Sequence, residues 1–434
     1  MNQPLDKLNI FSWKGIQMRT FHITWITFFF CFFGWFGIAP LMPLVREQLH
    51  LTKAQVGNIT IASVSATILA RLIIGRLCDS WGPRRSYTVL LVLGALPVIG
   101  IGLANSYESF LVFRLIIGVI GASFVITQFH TSMMFAPNVV GTANAVAGGW
   151  GNLGGGITNI AMPLIAAALV GAGYVDQLNS WRYAMIIPGV ILLLMAFIYY
   201  RYTKDTPAGN FEEIERSTAG KKTGTFIMAC RDYRTWVLAL AYAACFGIEI
   251  TVDNVAALYF VDHFNTTLIL AGILAGLFGF MNLFARALGG ILSDKIGSRY
   301  GLRGKGLLLA VLLILEGVGI MLFAKAGSLP MAVASMLVFA LFLKMANGGT
   351  YSIVPFVNKQ AMGSVAGIVG AGGNLGAMLV AFLFKSTEIT YSQAFYFIGI
   401  GVLIIGIAVI SVNMNAAEVA EISVSNEGGE LQRA

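Results

Sequence analysis

GRLCDSWGPRR, residues 75–85, returns in altered form as GILSDKIGSR, residues 290–299. At an offset of 215, Arg71, Gly75, Leu77, Asp79 and Gly82 meet Arg286, Gly290, Leu292, Asp294 and Gly297. The glycines suit a tight turn, and the Asp can cap a helix end or pair with a nearby arginine such as Arg85. A second match follows at an offset of 222, where Gly141, Gly148, Gly151, Asn152, Leu153 and Gly154 meet Gly363, Gly370, Gly373, Asn374, Leu375 and Gly376. The offsets differ by seven residues, which connecting loops absorb. Two matches in the same order mark a chain of two repeated halves.

The runs on either side of these segments are long and apolar. A transmembrane helix needs about 20 mostly apolar residues. Twelve such stretches fit, near 22–43, 54–77, 86–105, 108–132, 139–171, 182–200, 236–262, 267–290, 305–326, 329–355, 361–385 and 391–413. Composition agrees, with 57% hydrophobic and 11% charged residues among 434. Soluble domains carry about 25% charged residues, so this chain has too few to cover a soluble surface. Nucleic-acid binding, collagen-like structure and general disorder are excluded by the same figures. Cys31, Cys78, Cys230 and Cys245 have neither metal-ligand nor disulfide-framework spacing. The expected class is an all-α polytopic membrane protein with lipid around it.

Of the 28 Lys and Arg, 19 fall in the N-terminus, the even-numbered connections and the C-terminus, and 5 in the odd-numbered connections. The positive-inside rule then places both termini and segment 201–235 in the cytoplasm. The net charge of +8 reports topology and not an acidic partner. No small-residue cleavage site closes the apolar run after Arg19, so a cleavable leader is not expected. The expected organisation is a six-helix bundle over 1–200, a cytoplasmic central loop over 201–235, a second bundle over 236–413 and a polar cytoplasmic tail over 414–434. Six spans per half is even, so equivalent helices run in the same direction. Two parallel six-helix repeats describe an alternating-access transporter with its site near the midplane.

The duplicated GRLCDSWGPRR segment, placed between the second and third spans of each half, resembles the loop signature of the major facilitator superfamily. That signature concerns conformation and is silent on substrate, which the polar residues inside the spans must supply. A charged side chain at a helix centre costs roughly 2.5–3.5 kcal/mol on insertion scales. Four basic ones lie well inside spans, away from their ends: Arg71, Arg114, Arg286 and Lys344. Arg71 and Arg286 are repeat-equivalent and face each other across the expected two-fold axis. Either each pairs with a carbonyl or snorkels to the interface, or an anion between them removes their repulsion; repeat equivalence favours the anion. A guanidinium fork suits a planar oxyanion with spread charge. No third basic residue adjoins either Arg in the sequence, and Lys344, in ALFLKMANGG, has an open role.

Residues 145–156, AVAGGWGNLGGG, and 367–378, GIVGAGGNLGAM, are rich in glycine. Glycines at helical spacing let helices approach closely. Asn152 and Asn374 stand among these glycines, which leave room for an anion to reach them, and an Asn amide can donate to an oxyanion.

These two segments, with Arg71 and Arg286, resemble the nitrate signatures of the nitrate–nitrite porter family of the major facilitator superfamily, and the likeness spans all twelve helices. The resemblance implies that Arg71 and Arg286 clamp nitrate and that Asn152 contacts it. It also implies that Tyr242 hydrogen-bonds the anion, while Phe124 and Phe246 wall it in. A ring face is negative, so such walls select shape and exclude water; ordinary core packing is the alternative for each Phe. Glu249 and Asp253 stand at i, i+4 on the seventh span, one face of a helix. An acidic residue here resembles the proton-coupled assimilatory branch, which includes eukaryotic high-affinity carriers. A static ion pair with Arg114 or Lys344 is the competing reading, as is exposure of Asp253. Glu316 and Arg114 are read as structural.

The expectation is therefore a multi-pass transporter of the bacterial inner membrane that imports nitrate, and nitrite as well, by proton symport. Nitrate/nitrite exchange and a facilitator of another small organic anion are the alternatives. A monomer is expected, with no cofactor, metal or nucleic-acid partner. Catalysis is not expected, because His22, His50, His130 and His263 are dispersed and no nucleophile–base pattern recurs.

Overall fold

The computed structural model describes residues 3–215, 224–266, 268–385 and 389–412. The expected tail over 414–434, and Lys221 and Lys222 of the central segment, lie outside the described residues. Among those described, every regular element is a helix, as a lipid-facing chain requires, because a helix satisfies its own backbone hydrogen bonds. The first half contains α1 (Gly15–Phe36), α2 (Lys53–Trp81), α3 (Pro83–Gly100), α4 (Tyr107–Met134, with a 3-10 turn inside), α5 (Val140–Gly171) and α6 (Ser180–Tyr202). The second contains α7 (Tyr233–Phe264), α8 (268–300), α9 (302–324), α10 (Leu329–Ile353), α11 (Met362–Lys385) and α12 (Tyr391–Ile410).

Among the described residues, eleven helical stretches are long and apolar enough to cross a membrane, one of them the 49-residue run Gly276–Ala324. That run breaks at Gly301, whose φ of 63° and ψ of −157° are non-helical. Dividing it there gives the expected twelve. The expected loop between the eighth and ninth spans is thus nearly absent. Only one of the two motif turns has its left-handed residue inside the motif, at Gly82 with φ 84°. In the second copy Gly297 is helical and the left-handed residue is Gly301, so Gly297 serves space instead: a Cβ there would strike Lys305.

Local signals set the helix starts. Thr52 with Gln55, and Thr390 with Gln393, form capping boxes at α2 and α12. Pro83 opens α3, where its missing N–H costs nothing. Large apolar residues, including Leu93, Phe197, Leu379 and Ile404, point outward and are exposed, the surface that lipid would cover.

The halves meet through repeat-equivalent contacts. A Cβ on Gly75 of α2 would land on the Gly363 carbonyl of α11, and one on Gly290 of α8 would land on the Gly141 carbonyl of α5. The same exchange governs the acids. Asp79 accepts from the Gly363 and Ser364 amides, both at 2.8 Å, and from Ser364 Oγ at 2.6 Å. Asp294 accepts from the Gly141 amide at 3.2 Å, the Thr142 amide at 2.6 Å and Thr142 Oγ1 at 2.9 Å. Each motif Asp therefore caps the first turn of a helix in the opposite half, where orphan N–H groups and the helix dipole favour an anion. Lys305 adds an ion pair to Asp294 at 2.8 Å. Arg85 pairs with Glu212 on the exposed surface of the central segment. The cap role is the one foreseen, but the partner helix belongs to the other half.

Candidate anion-binding site

Between the halves, at mid-depth, α2 and α8 deliver Arg71 and Arg286, both buried to 2% exposure or less. Three rings stand parallel beside them. Tyr242 and Phe246, one turn apart on α7, stack at 4.9 Å with planes 5° apart, and Phe124 of α4 lies 5.9 Å from Phe246 at 12°. The Arg71 guanidinium carbon is 5.4 Å from the Phe124 centroid and 5.2 Å from that of Phe246, and Arg286 is 5.9 Å from Phe246. Both phenylalanines thus contact the arginines through their ring faces, a cation–π arrangement as well as a wall.

The glycine segments open this space. A Cβ on Gly148 of α5 would sit 3.3 Å from Arg286 Nη1 and 3.4 Å from Phe124, and one on Gly370 of α11 would sit 3.2 Å from Arg71 Cδ. On Gly373 it would meet Tyr242 at 2.6 Å and Phe246 at 2.9 Å. Other glycines do serve helix approach, as at Gly289 against the Met345 backbone. One turn after Gly148, on the same face of α5, comes Asn152.

Four groups here have polar atoms with no protein partner among the described residues: Arg71 Nη2, Arg286 Nε, Tyr242 Oη and both amide atoms of Asn152. All are buried. Buried donors in native proteins are nearly always satisfied, and a cluster of unsatisfied ones marks a place for a ligand or water. The excess here is of donors, so the complementary ligand is an acceptor.

The two arginines differ in their other bonds. Arg71 donates from Nε to the Gly121 carbonyl at 3.1 Å and from Nη1 to the Gly370 carbonyl at 2.5 Å. A guanidinium only donates, so the facing amide of Asn374 must present its oxygen; so oriented, it accepts from Nη1 at 2.9 Å and Nε at 3.1 Å. Asn374 thus holds Arg71. Arg286 instead meets a carboxylate, donating from Nη2 to Glu249 Oε2 at 2.7 Å. Lys344 Nζ lies 2.7 Å from Glu249 Oε1, Asn282 donates to Oε1 at 2.8 Å and Asn347 to Oε2 at 2.5 Å. Three hydrogen-bond donors and the Lys344 ammonium thus surround this one carboxylate.

Two expectations change accordingly. The repulsion assigned to the arginine pair is already relieved at Arg286 by Glu249, and a third cation, Lys344, stands one carboxylate away. Arg114 is not part of the cluster; it donates to the Trp35 carbonyl at 2.9 Å and to Ser63 Oγ at 3.2 Å, tying α4 to α1 and α2. Asp253, one turn beyond Glu249, is exposed and has no ion pair among the described residues.

The chain resembles known proteins along most of its length. The Major Facilitator Superfamily model matches residues 24–381. High affinity nitrate transporter 2.5 of Arabidopsis thaliana is 40% identical over 390 residues, covering 88% of this chain and 78% of that protein. The nitrate/nitrite transporter NrtP of Picosynechococcus sp. is 31% identical, with coverages of 89% and 87%. The chain belongs to the nitrate–nitrite porter family of the major facilitator superfamily. The proton:xylose symporter XylE shares the fold of this porter, with a TM-score of 0.71 over 90% of this chain and 94% of that one at 13% identity.

Three residues of this candidate site escaped the reading of the sequence. Asn282 and Asn347 fix Glu249, and Tyr351 stands edge-on to both Phe124 and Tyr242, at 4.7 and 4.9 Å. Isolated amides inside apolar spans, as in GFMNLFAR and LKMANGGT, were the available signal.

Proposed function

We propose that this porter imports nitrate, with nitrite as a second substrate, by alternating access and in symport with protons. The observation that carries the reading is the set of unpartnered donors on Arg71, Arg286, Tyr242 and Asn152 beside parallel rings. A planar oxyanion fits both features: flat faces against the rings, edge oxygens toward the donors. Glu249 is where anion and proton meet. An anion arriving at Arg286 competes with this carboxylate, and a carboxylate that loses its guanidinium is ready to take a proton. Asp253 supplies a second carboxylate one turn away.

Energetics favour symport for net uptake. Bringing one negative charge into a negative interior costs about 2.3 kcal/mol per 100 mV. Two protons per nitrate reverse the sign of the charge moved. The excess of basic residues at the ends carrying the Asp caps supports a cytoplasmic location for those ends and for both termini, in a bacterial inner membrane. The Asp-capped, glycine-packed contacts between halves close the end of the molecule that carries them. One chain supplies every group of the site, which suits a working monomer.

Proteoliposomes containing the purified chain provide the test. With an inward proton gradient and no internal anion, nitrate should accumulate. Uptake only when nitrite or nitrate is preloaded would assign exchange instead, and uptake of organic anions in preference to nitrate would overturn the substrate.

A further inference from the structure

Glu316 of α9 is fully buried, and neither carboxylate oxygen has a hydrogen-bond partner among the described residues. Its surroundings offer little. α12 approaches with Gly399 and Leu403 against Gly317, and α10 with Phe339 against Gly319. The charged and titratable groups that reach it are Glu249 and the Cys245 thiol from α7 and Lys344 from α10. An ionised carboxylate without donors in such a place is very costly, whereas the neutral acid is tolerated. Glu249, by contrast, accepts three hydrogen bonds and pairs with the Lys344 ammonium, and so suits the ionised form. Lys344 acts electrostatically on both acids; its ammonium lies 4.2 Å over the Phe278 ring, and it is ion-paired with Glu249 at 2.7 Å. Its flexible stem allows it to change partner.

We propose that Glu316 stores a transported proton and that Lys344 is the cation which follows the negative charge between Glu249 and Glu316. The inference rests on the symport reading above and names the group that supplies its proton. The step conserves charge and atoms: Glu316 begins as the acid and Glu249 as the carboxylate paired with Lys344. When nitrate takes Arg286, the proton passes from Glu316 to Glu249, and the Lys344 ammonium turns to the new Glu316 carboxylate. Glu249, now neutral, releases Arg286 to the anion. No group outside the site is consumed.

Two measurements on the full chain test this. In infrared difference spectra on nitrate addition, the parent should lose one protonated-carboxyl band and gain another, and Glu316→Gln should abolish the loss. In proteoliposomes, a gradient of one pH unit provides about tenfold accumulation per coupled proton. Glu316→Gln should lose at least that tenfold, and its nitrate counterflow should become dependent on external pH, because Glu249 must then draw its proton from the medium. Gradient-driven accumulation by Glu316→Gln equal to the parent's overturns the inference alone. A parent that accumulates nitrate only against internal anion overturns the symport reading and this inference with it. Should Glu316→Gln not fold, the parent spectrum decides: no change in a protonated-carboxyl band on nitrate addition overturns the proposal.

Discussion

Tyr242 Oη and the Asn152 amide have no protein partner, so removing them leaves nothing in the fold unsatisfied. Tyr242→Phe and Asn152→Ala should therefore keep their stability and lose only the contact to the anion. A hydrogen bond to a charged group contributes about 1.5–3 kcal/mol, which is roughly one to two orders of magnitude in Kd, readable by equilibrium nitrate binding. The arginines should respond unequally to Lys. Arg71→Lys forfeits the bonds to Gly121, Gly370 and Asn374 as well as the fork, so both folding yield and transport should fall sharply. Arg286→Lys retains a charge for Glu249 and should lose transport with smaller damage to stability; equal melting temperatures for the two variants would count against this. Sequence alone located these arginines because charge inside an apolar run is conspicuous and because they repeat. Their inequality was not legible, since it depends on Glu249, Asn282 and Asn347, which arrive from three different helices.

Helix periodicity and duplication disclosed nearly all of the elements, including the location of both glycine-rich stretches. What they did not disclose was the division of labour among the glycines, because a glycine that admits a backbone and one that admits a ring look alike in one dimension. Gly370 and Gly373 face the site, while Gly363 and Gly367 of the same helix face α2. The structure separates them by substitution. Gly75→Ala would press a methyl group onto the Gly363 carbonyl, and overpacking of this kind costs about 1–3 kcal/mol. That penalty falls only on the conformer in which α2 and α11 touch. Cys78, buried at this seam beside Gly363, is a built-in reporter. Its labelling by a polar maleimide, mapped by peptide, should be slow in the parent and faster in Gly75→Ala; unchanged labelling would mean that the seam does not open.

Across the whole molecule, two six-helix bodies are held by a pair of clasps that repeat but are not identical. At α5, Asp294 binds two amides, a hydroxyl and the Lys305 ammonium. At α11, Asp79 binds two amides and a hydroxyl and has no ion pair among the described residues. Amide hydrogen exchange should register this difference, with Gly363 and Ser364 exchanging before Gly141 and Thr142, and simultaneous exchange would argue for clasps of equal strength. A latch with one weak side does not lift squarely. The bodies would part first along α2 and α11, pivoting on the α5–α8 edge as a book opens on its spine, and Arg71 would meet incoming water while Arg286 was still dry.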